Sequence, residues 1–170
     1  ANDGDTIVIV AGTFGGIKVT KSVTIRGANC GVNPVKQSRN AETIFTGDIL
    51  VCADHVVLDG MQLTGSARIV ANPDVSVDDL KIINVLVDGS TIDGSTNAPL
   101  YFIPNVDTVV YSNTYIANML MKARSGRAMI MYATQLNGIT IENCEFHGTS
   151  SSGQYNDGLK FNANTKLKFD

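Results

Sequence analysis

Charge is scarce in this chain of 170 residues: Asp, Glu, Lys and Arg make up 17% of it, against 44% apolar residues. That ratio excludes a disordered tail and supplies enough apolar side chains for a substantial core. Thirteen basic residues are outnumbered by sixteen acidic ones and lie scattered, so no phosphate-tracking patch is visible and nucleic acid is not an expected partner. No apolar run approaches the roughly 18 residues needed to span a bilayer, which argues against membrane insertion. No charged, apolar, small-residue signal pattern opens the chain either, and it reads as soluble. Cysteine is sparse: Cys30, Cys52 and Cys144 form neither a CxxC metal pair nor an even disulfide set, and read as small buried hydrophobes. Leu, with 10 residues, is outnumbered by Val, Ile and Thr at 17, 15 and 15, a balance that favours strands over helices. Sixteen Gly and fifteen Asn predict many short turns.

What the chain does have is an internal repeat. Five segments share an alternating apolar pattern closed by Gly or Asn: VTIRG from Val23, VVLDG from Val56, LKIIN from Leu80, VVYSN from Val109 and ITIEN from Ile139. A further LKFD starts at Leu167. The period of two is that of a strand, not of a helix. After each Gly or Asn a corner and a second short strand are expected, with Cys30, Leu63, Val87, Ile116 and Phe146 as its apolar partners. A third strand precedes the motif in several units, in ILVCA from Ile49, ARIVA from Ala67, LYFIP from Leu100 and AMIMYA from Ala128. Three short strands in each repeat of roughly 29 residues predict an all-β fold, a parallel β-helix solenoid of about 5 to 6 coils.

If the coils stack in register, equivalent positions form columns about 4.8 Å apart. Val23, Val56, Leu80, Val109, Ile139 and Leu167 make one apolar column, and Ile25, Leu58, Ile82, Tyr111, Ile141 and Phe169 the next. Arg26, Asp59, Ile83, Ser112, Glu142 and Asp170 form a mostly polar outward row. The corner ladder reads Gly27, Gly60, Asn84, Asn113, Asn143, residues that tolerate left-handed backbone angles. Stacked Asn side chains also hydrogen-bond along the axis and replace backbone partners lost at the bend.

The segment GDTIVIVAGTFGGIKVTKSVTIRGAN, from Gly4 to Asn29, resembles the opening coil of right-handed parallel β-helix proteins of the pectin-lyase-like superfamily. The stretch that follows, with Arg39 and Glu42, is similar to the same region in large bacterial surface and secreted members. The resemblance implies a right-handed single-stranded β-helix over residues 1–170 as one domain. It does not fix a function, because the superfamily holds polysaccharide lyases, glycoside hydrolases, adhesins and phage tailspikes. The lyases and hydrolases imply an Asp-rich calcium site with an Arg or Lys base, or closely placed Asp residues with a His. None of these local patterns is present; Asp78 and Asp79 are adjacent but read as solvated acids at the start of a strand.

The strand after the corner supplies the candidate site. Its outward positions stack as Gln62, Leu86, Tyr115 and Glu145, flanked by Thr64, Asp88, Ala117 and His147. The candidate binding residues are therefore Gln62, Asp88, Tyr115, Glu145 and His147. An exposed Tyr beside carboxylates and an imidazole suits a sugar, with the ring on the pyranose face and polar groups on the hydroxyls; a mixed solvated face is the plainer reading. Glu142 lies before the corner, so alternation separates it from Glu145 and His147 and a shared metal is not expected. Lys122, Arg124 and Arg127 form a basic cluster that reads as a surface loop or a contact for acidic polysaccharide. The loop DGSTIDGST, Asp88 to Thr96, repeats itself and invites a calcium reading; it lacks the spacing of β-roll and EF-hand calcium sites, and turn chemistry is the plainer explanation. Long loops from Ala28 to Ala41 and from His147 to Asp157 are further candidates for a binding face.

Two functions are expected to compete. One is a non-catalytic extracellular, cell-surface or virion β-helix, a stalk or an adhesin whose partner is a polysaccharide or cell-surface glycan, with no cofactor. The alternative is a polysaccharide lyase or glycoside hydrolase whose catalytic residues lie partly outside this segment. The shortness of the ladder and the absence of terminal caps predict a piece of a longer or assembled structure. Open coil ends also predict end-to-end or lateral self-association.

Overall fold

The computed structural model describes residues 1–92, 98–122, 129–131, 136–147 and 159–161. Among them there is no helix, and all strand pairs are parallel. The described residues wind through six coils of three short strands, the fourth with one more. The first holds β1 (Thr6–Val8), β2 (Gly12–Phe14) and β3 (Ile17–Val19), and the second β4 (Thr24–Arg26), β5 (Thr43–Phe45) and β6 (Ile49–Val51). The third holds β7 (Val57–Asp59), β8 (Gln62–Gly65) and β9 (Ile69–Ala71). The fourth starts with a short β10 (Val77–Asp78), then runs through β11 (Lys81–Ile83), β12 (Leu86–Ser90) and β13 (Leu100–Phe102). The fifth holds β14 (Tyr111–Ala117), β15 (Leu120–Lys122) and β16 (Met129–Met131), and the sixth β17 (Leu136–Glu142), β18 (Glu145–His147) and β19 (Leu159–Phe161). Corresponding strands stack into three sheets, called here first, second and third in the order the chain meets them. This is the parallel β-helix that the repeat predicts.

Stacking sets the core. In the first sheet Ile25, Leu58, Ile82, Ile116 and Ile141 lie in register, and the first four are buried. Val23, Val56, Leu80, Thr114 and Ile139 form the neighbouring buried column. Burying one such aliphatic side chain is worth about 1.5–3 kcal/mol, and the columns repeat this at every rung. The fifth coil corrects the expected register by five residues: Thr114 and Ile116 hold the places assigned to Val109 and Tyr111. Tyr111 is nonetheless buried one segment earlier, edge-on to Phe102 with ring centroids 5.8 Å apart. Its hydroxyl donates to the Asn72 carbonyl at 2.9 Å, and burial raises it above the usual phenol range.

The same shift corrects the corner ladder, which runs Gly27, Gly60, Asn84, Asn118, Asn143. Gly60, Asn84, Asn118 and Asn143 have positive φ of 77°, 53°, 53° and 52°. Asn118 Nδ2 donates to Asn84 Oδ1 at 3.2 Å and Asn84 Nδ2 to Asp59 Oδ1 at 2.7 Å. Asn113 belongs to a second left-handed ladder with His55, Asp79 and Gly138, each one residue before the inward column. In the third to sixth coils the chain therefore bends on both sides of the first-sheet core segment.

Inward positions of the second sheet are Phe45, Leu63, Val87, Met121 and Phe146. Phe45 and Met121 take the places expected for Cys30 and Ile116. The reason for the first change is an insertion of residues 28–42 between corner and strand, which runs along the ladder. Asp59 holds it, accepting from Cys30 Sγ at 3.0 Å and the Gly31 amide at 3.1 Å. Asn33 Nδ2 reaches Asn118 Oδ1 at 3.0 Å, and Arg39 Nη1 reaches the Asn84 carbonyl at 2.9 Å. Burial, then Asp59, pushes the Cys30 thiol up to about 11. The thiol therefore keeps its proton at neutral pH and donates it in the hydrogen bond to Asp59.

Candidate functional site

The register decides which predicted site residues meet. On the outer face of the second sheet Gln62, Leu86, Leu120 and Glu145 lie in one row. Lys122 and His147 lie in the next row, with Asp88 bonded to Lys122 Nζ at 2.9 Å. Gln62, Asp88, Glu145 and His147 thus share a face as expected, and His147 Nε2 sits 3.0 Å from Glu145 Oε2. Tyr115 is not among them. It projects from the first sheet, in register with Lys81 and Thr140, and its hydroxyl donates to the Glu142 carboxylate, which raises it above the usual phenol range. The row has Leu120 and Lys122 where Tyr115 and Ala117 were expected, so it lacks the aromatic ring on which the sugar argument rested.

Asp78 and Asp79 are more than solvated acids. Asp78 accepts from Ser112 Oγ at 2.5 Å and Asn113 Nδ2 at 2.8 Å, in that order of influence, and is held below the usual carboxylate range. Asp79 is lowered first by His55 Nδ1 at 3.2 Å and further by Lys81. Both pairings knit neighbouring coils. Among the described residues no group of three or more His, Cys, Asp or Glu is placed to hold a metal ion. Arg124, Arg127, the DGSTIDGST residues beyond Ile92, residues 148–157 and the LKFD motif lie outside the described residues.

An aromatic surface does exist, on the third sheet. There the row that alternation turns away from the core runs Lys18, Leu50, Val70, Tyr101, Ile130, with Val70 and Ile130 buried. Half-buried Tyr101 lines a groove of about 470 Å³. The Arg68 guanidinium lies 5.0 Å from its ring centroid and is held by Asp48 through Nε at 3.1 Å and Nη2 at 2.5 Å, a contact that raises it further. Across the groove Asn105 Nδ2 donates to Asp74 Oδ1 at 2.8 Å, and Asn72 Oδ1 accepts the Asp74 amide at 2.9 Å. A cation on an aromatic face, itself fixed by a carboxylate, makes a rigid ring surface with polar groups on both sides. The strand LYFIP is legible in the sequence, but its second residue, Tyr101, is not among the site residues expected from it. The signal was the alternation Leu100 in, Tyr101 out, Phe102 in, combined with Arg68 one residue before Ile69, the register partner of Leu100.

By fold the chain is a parallel β-helix solenoid, with polar groups fixed on the outer faces of all three sheets. No protein-family model matches it, and no curated protein or solved structure does so either.

Proposed function

We propose that this is a non-catalytic β-helix scaffold that binds polysaccharide, on the surface of a cell or virion or in a secreted protein. The observation that carries the reading is the Tyr101 groove. A fixed aromatic ring takes the apolar face of a pyranose, while Asn72, Asp74, Asn105 and Lys18 offer partners to its hydroxyls. Asp48 is engaged twice by Arg68 and Asp74 is held by Asn105, which suits fixed recognition better than proton transfer. The resemblance of residues 4–29 to the pectin-lyase-like superfamily agrees with a carbohydrate partner.

An array of immobilised polysaccharides tests the proposal. The protein is expected to retain at least one of them, and Tyr101→Ala to lower that affinity at least tenfold while the far-ultraviolet spectrum of the fold is kept. Retention of no polysaccharide, or equal retention by the variant, would overturn it.

A further inference from the structure

Among the described residues, strand pairing joins each coil only to the coils beside it. The 28–42 insertion departs from that pattern. It leaves the second coil between β4 and β5 and meets the third, fourth and fifth coils along the corner ladder. At its start Asp59, in the third coil, accepts from Cys30 Sγ and from the Gly31 amide. Further on Asn33 Nδ2 donates to Asn118 Oδ1 in the fifth coil, a bond between residues 85 apart in sequence. On the way back Arg39 Nη1 donates to the Asn84 carbonyl in the fourth coil. Three rungs of about 4.8 Å separate the second coil from the fifth, so the insertion reaches about 14 Å along the axis before it returns.

These contacts are linked to one another. The Val35 amide donates to Asn33 Oδ1, Asn33 Nδ2 to Asn118 Oδ1, Asn118 Nδ2 to Asn84 Oδ1 and Asn84 Nδ2 to Asp59 Oδ1. Every link donates in the same direction, and the run ends on a carboxylate. Aligned hydrogen bonds polarise one another, and an ionised acceptor makes the strongest of them. Asp59 therefore holds the insertion twice, directly at Cys30 and Gly31 and through two ladder amides at Asn33. Asn84 is only 6% exposed, so a link broken there leaves a buried amide without its partner, which opposes piecemeal release. The insertion is also tied to itself. The amides of Lys36 and Gln37 donate to the Asn33 carbonyl, and Arg39 Nη2 and Asn29 Nδ2 share Glu42 Oε2. It is built to detach as one piece.

We propose that the insertion is an axial latch with Asp59 as its anchor. Closed on Asp59 and Asn118, it makes the second to fifth coils open as one cooperative unit, where strand pairing alone lets neighbouring coils open one after another. The latch keeps covered the strand edges that a partial opening would expose, and such edges recruit other strands. It rests on the fold alone, so its failure leaves the carbohydrate reading standing.

Amide hydrogen exchange of the whole chain under native conditions, resolved by peptide, tests the latch in two variants. Asn33→Asp keeps the acceptor for the Val35 amide but sets a carboxylate oxygen where the donor to Asn118 stood. It is expected to speed exchange about fivefold or more in residues 28–42 and equally in residues 118–122 of the fifth coil, with β1–β3 unchanged. Asp59→Asn has one side-chain oxygen left for the three donors Cys30, Gly31 and Asn84, and is expected to speed the same two regions further. Should Asp59→Asn fail to fold, Asn33→Asp decides by itself, because it changes no residue of the coils. Acceleration confined to residues 28–42 would overturn the proposal and make the insertion a local appendage. So would unchanged exchange in Asn33→Asp, or an equal acceleration of β1–β3, which lie outside the latched coils.

Discussion

Gly60 and Gly31 share a φ of 77° but not a neighbourhood. A Cβ on Gly60 would lie 2.1 Å from the Cys30 nitrogen and 2.2 Å from the Asn29 carbonyl carbon, whereas one on Gly31 would meet nothing within 4 Å. The comparison explains why the corner ladder changes from Gly to Asn between the third and fourth coils. Left-handed geometry alone accepts Asn, as Asn84, Asn118 and Asn143 show. Backbone from the 28–42 insertion passes against Gly60 and leaves no room for a side chain. Gly27 is confined in the same way, with the Gly60 carbonyl oxygen 2.3 Å from where its Cβ would stand. Replacing Gly31 by Ala is therefore expected to carry only the left-handed penalty, about 1–2 kcal/mol. Gly60→Ala carries the same penalty plus a collision with backbone, and is expected to lower the melting temperature clearly more. Thermal unfolding of the two variants side by side checks this, and equal losses would mean that the insertion does not press on the ladder.

At the scale of strands and loops, what was legible in the sequence and what was not divide along a physical line. Alternation and Gly or Asn corners are local, so the three-strand repeat, the first-sheet columns in four coils and the third-sheet strands could be read directly. Register is not local. In the fifth coil VVYSN and TYIAN lie end to end, both close on an Asn in left-handed geometry, and only the first opens on an apolar residue. The true core segment opens on Thr114, which is 2% exposed. That five-residue shift displaced Tyr115 from the candidate face and hid Leu120 and Lys122 from it. The insertion likewise separates Gly27 from Thr43 by more residues than a corner needs, and nothing in the local pattern says where it folds back. Coupling between coils now rests partly on Asp78, through Ser112 and Asn113. Its carboxyl is held below the ordinary value, so its contribution is complete above the unfolded pKa near 3.8 and is lost as pH falls through the lower folded value. Asp78→Asn, which cannot ionise, is expected to melt below the parent protein near pH 6, with the difference shrinking below about pH 4. Melting curves across pH 2.5–7 test the sign, and a gap that widens in acid would contradict it.

For the molecule as a whole, a solenoid coil touches only the coils on either side of it, so stability adds along the axis and opening starts where a neighbour is missing. Among the described residues the first coil has strand partners on one side only, in β4, β5 and β6. Its burial reflects this. Val8 and Val10 are 69% and 71% exposed, and every residue of β1 is exposed, whereas β9 two coils on is buried throughout. Ile7, Ile9, Ile17, Val19, Val23 and Ile25 line an open cavity of about 420 Å³ at this end of the stack, where no rung among the described residues covers the inward columns. Local opening is governed by the apolar contacts that must be broken, so coils with complete columns open only with the bulk of the fold. Amide hydrogen exchange should therefore grade along the axis. Amides of β1–β3 are expected to exchange at least tenfold faster than those of β8, β9, β12 and β13, although all of these strands carry ladder hydrogen bonds. Mass-spectrometric exchange resolved by peptide reads this directly. Equal protection of the first and third coils would mean that the end of the stack is covered in solution, and the exposed valines are the surface on which to look for what covers it.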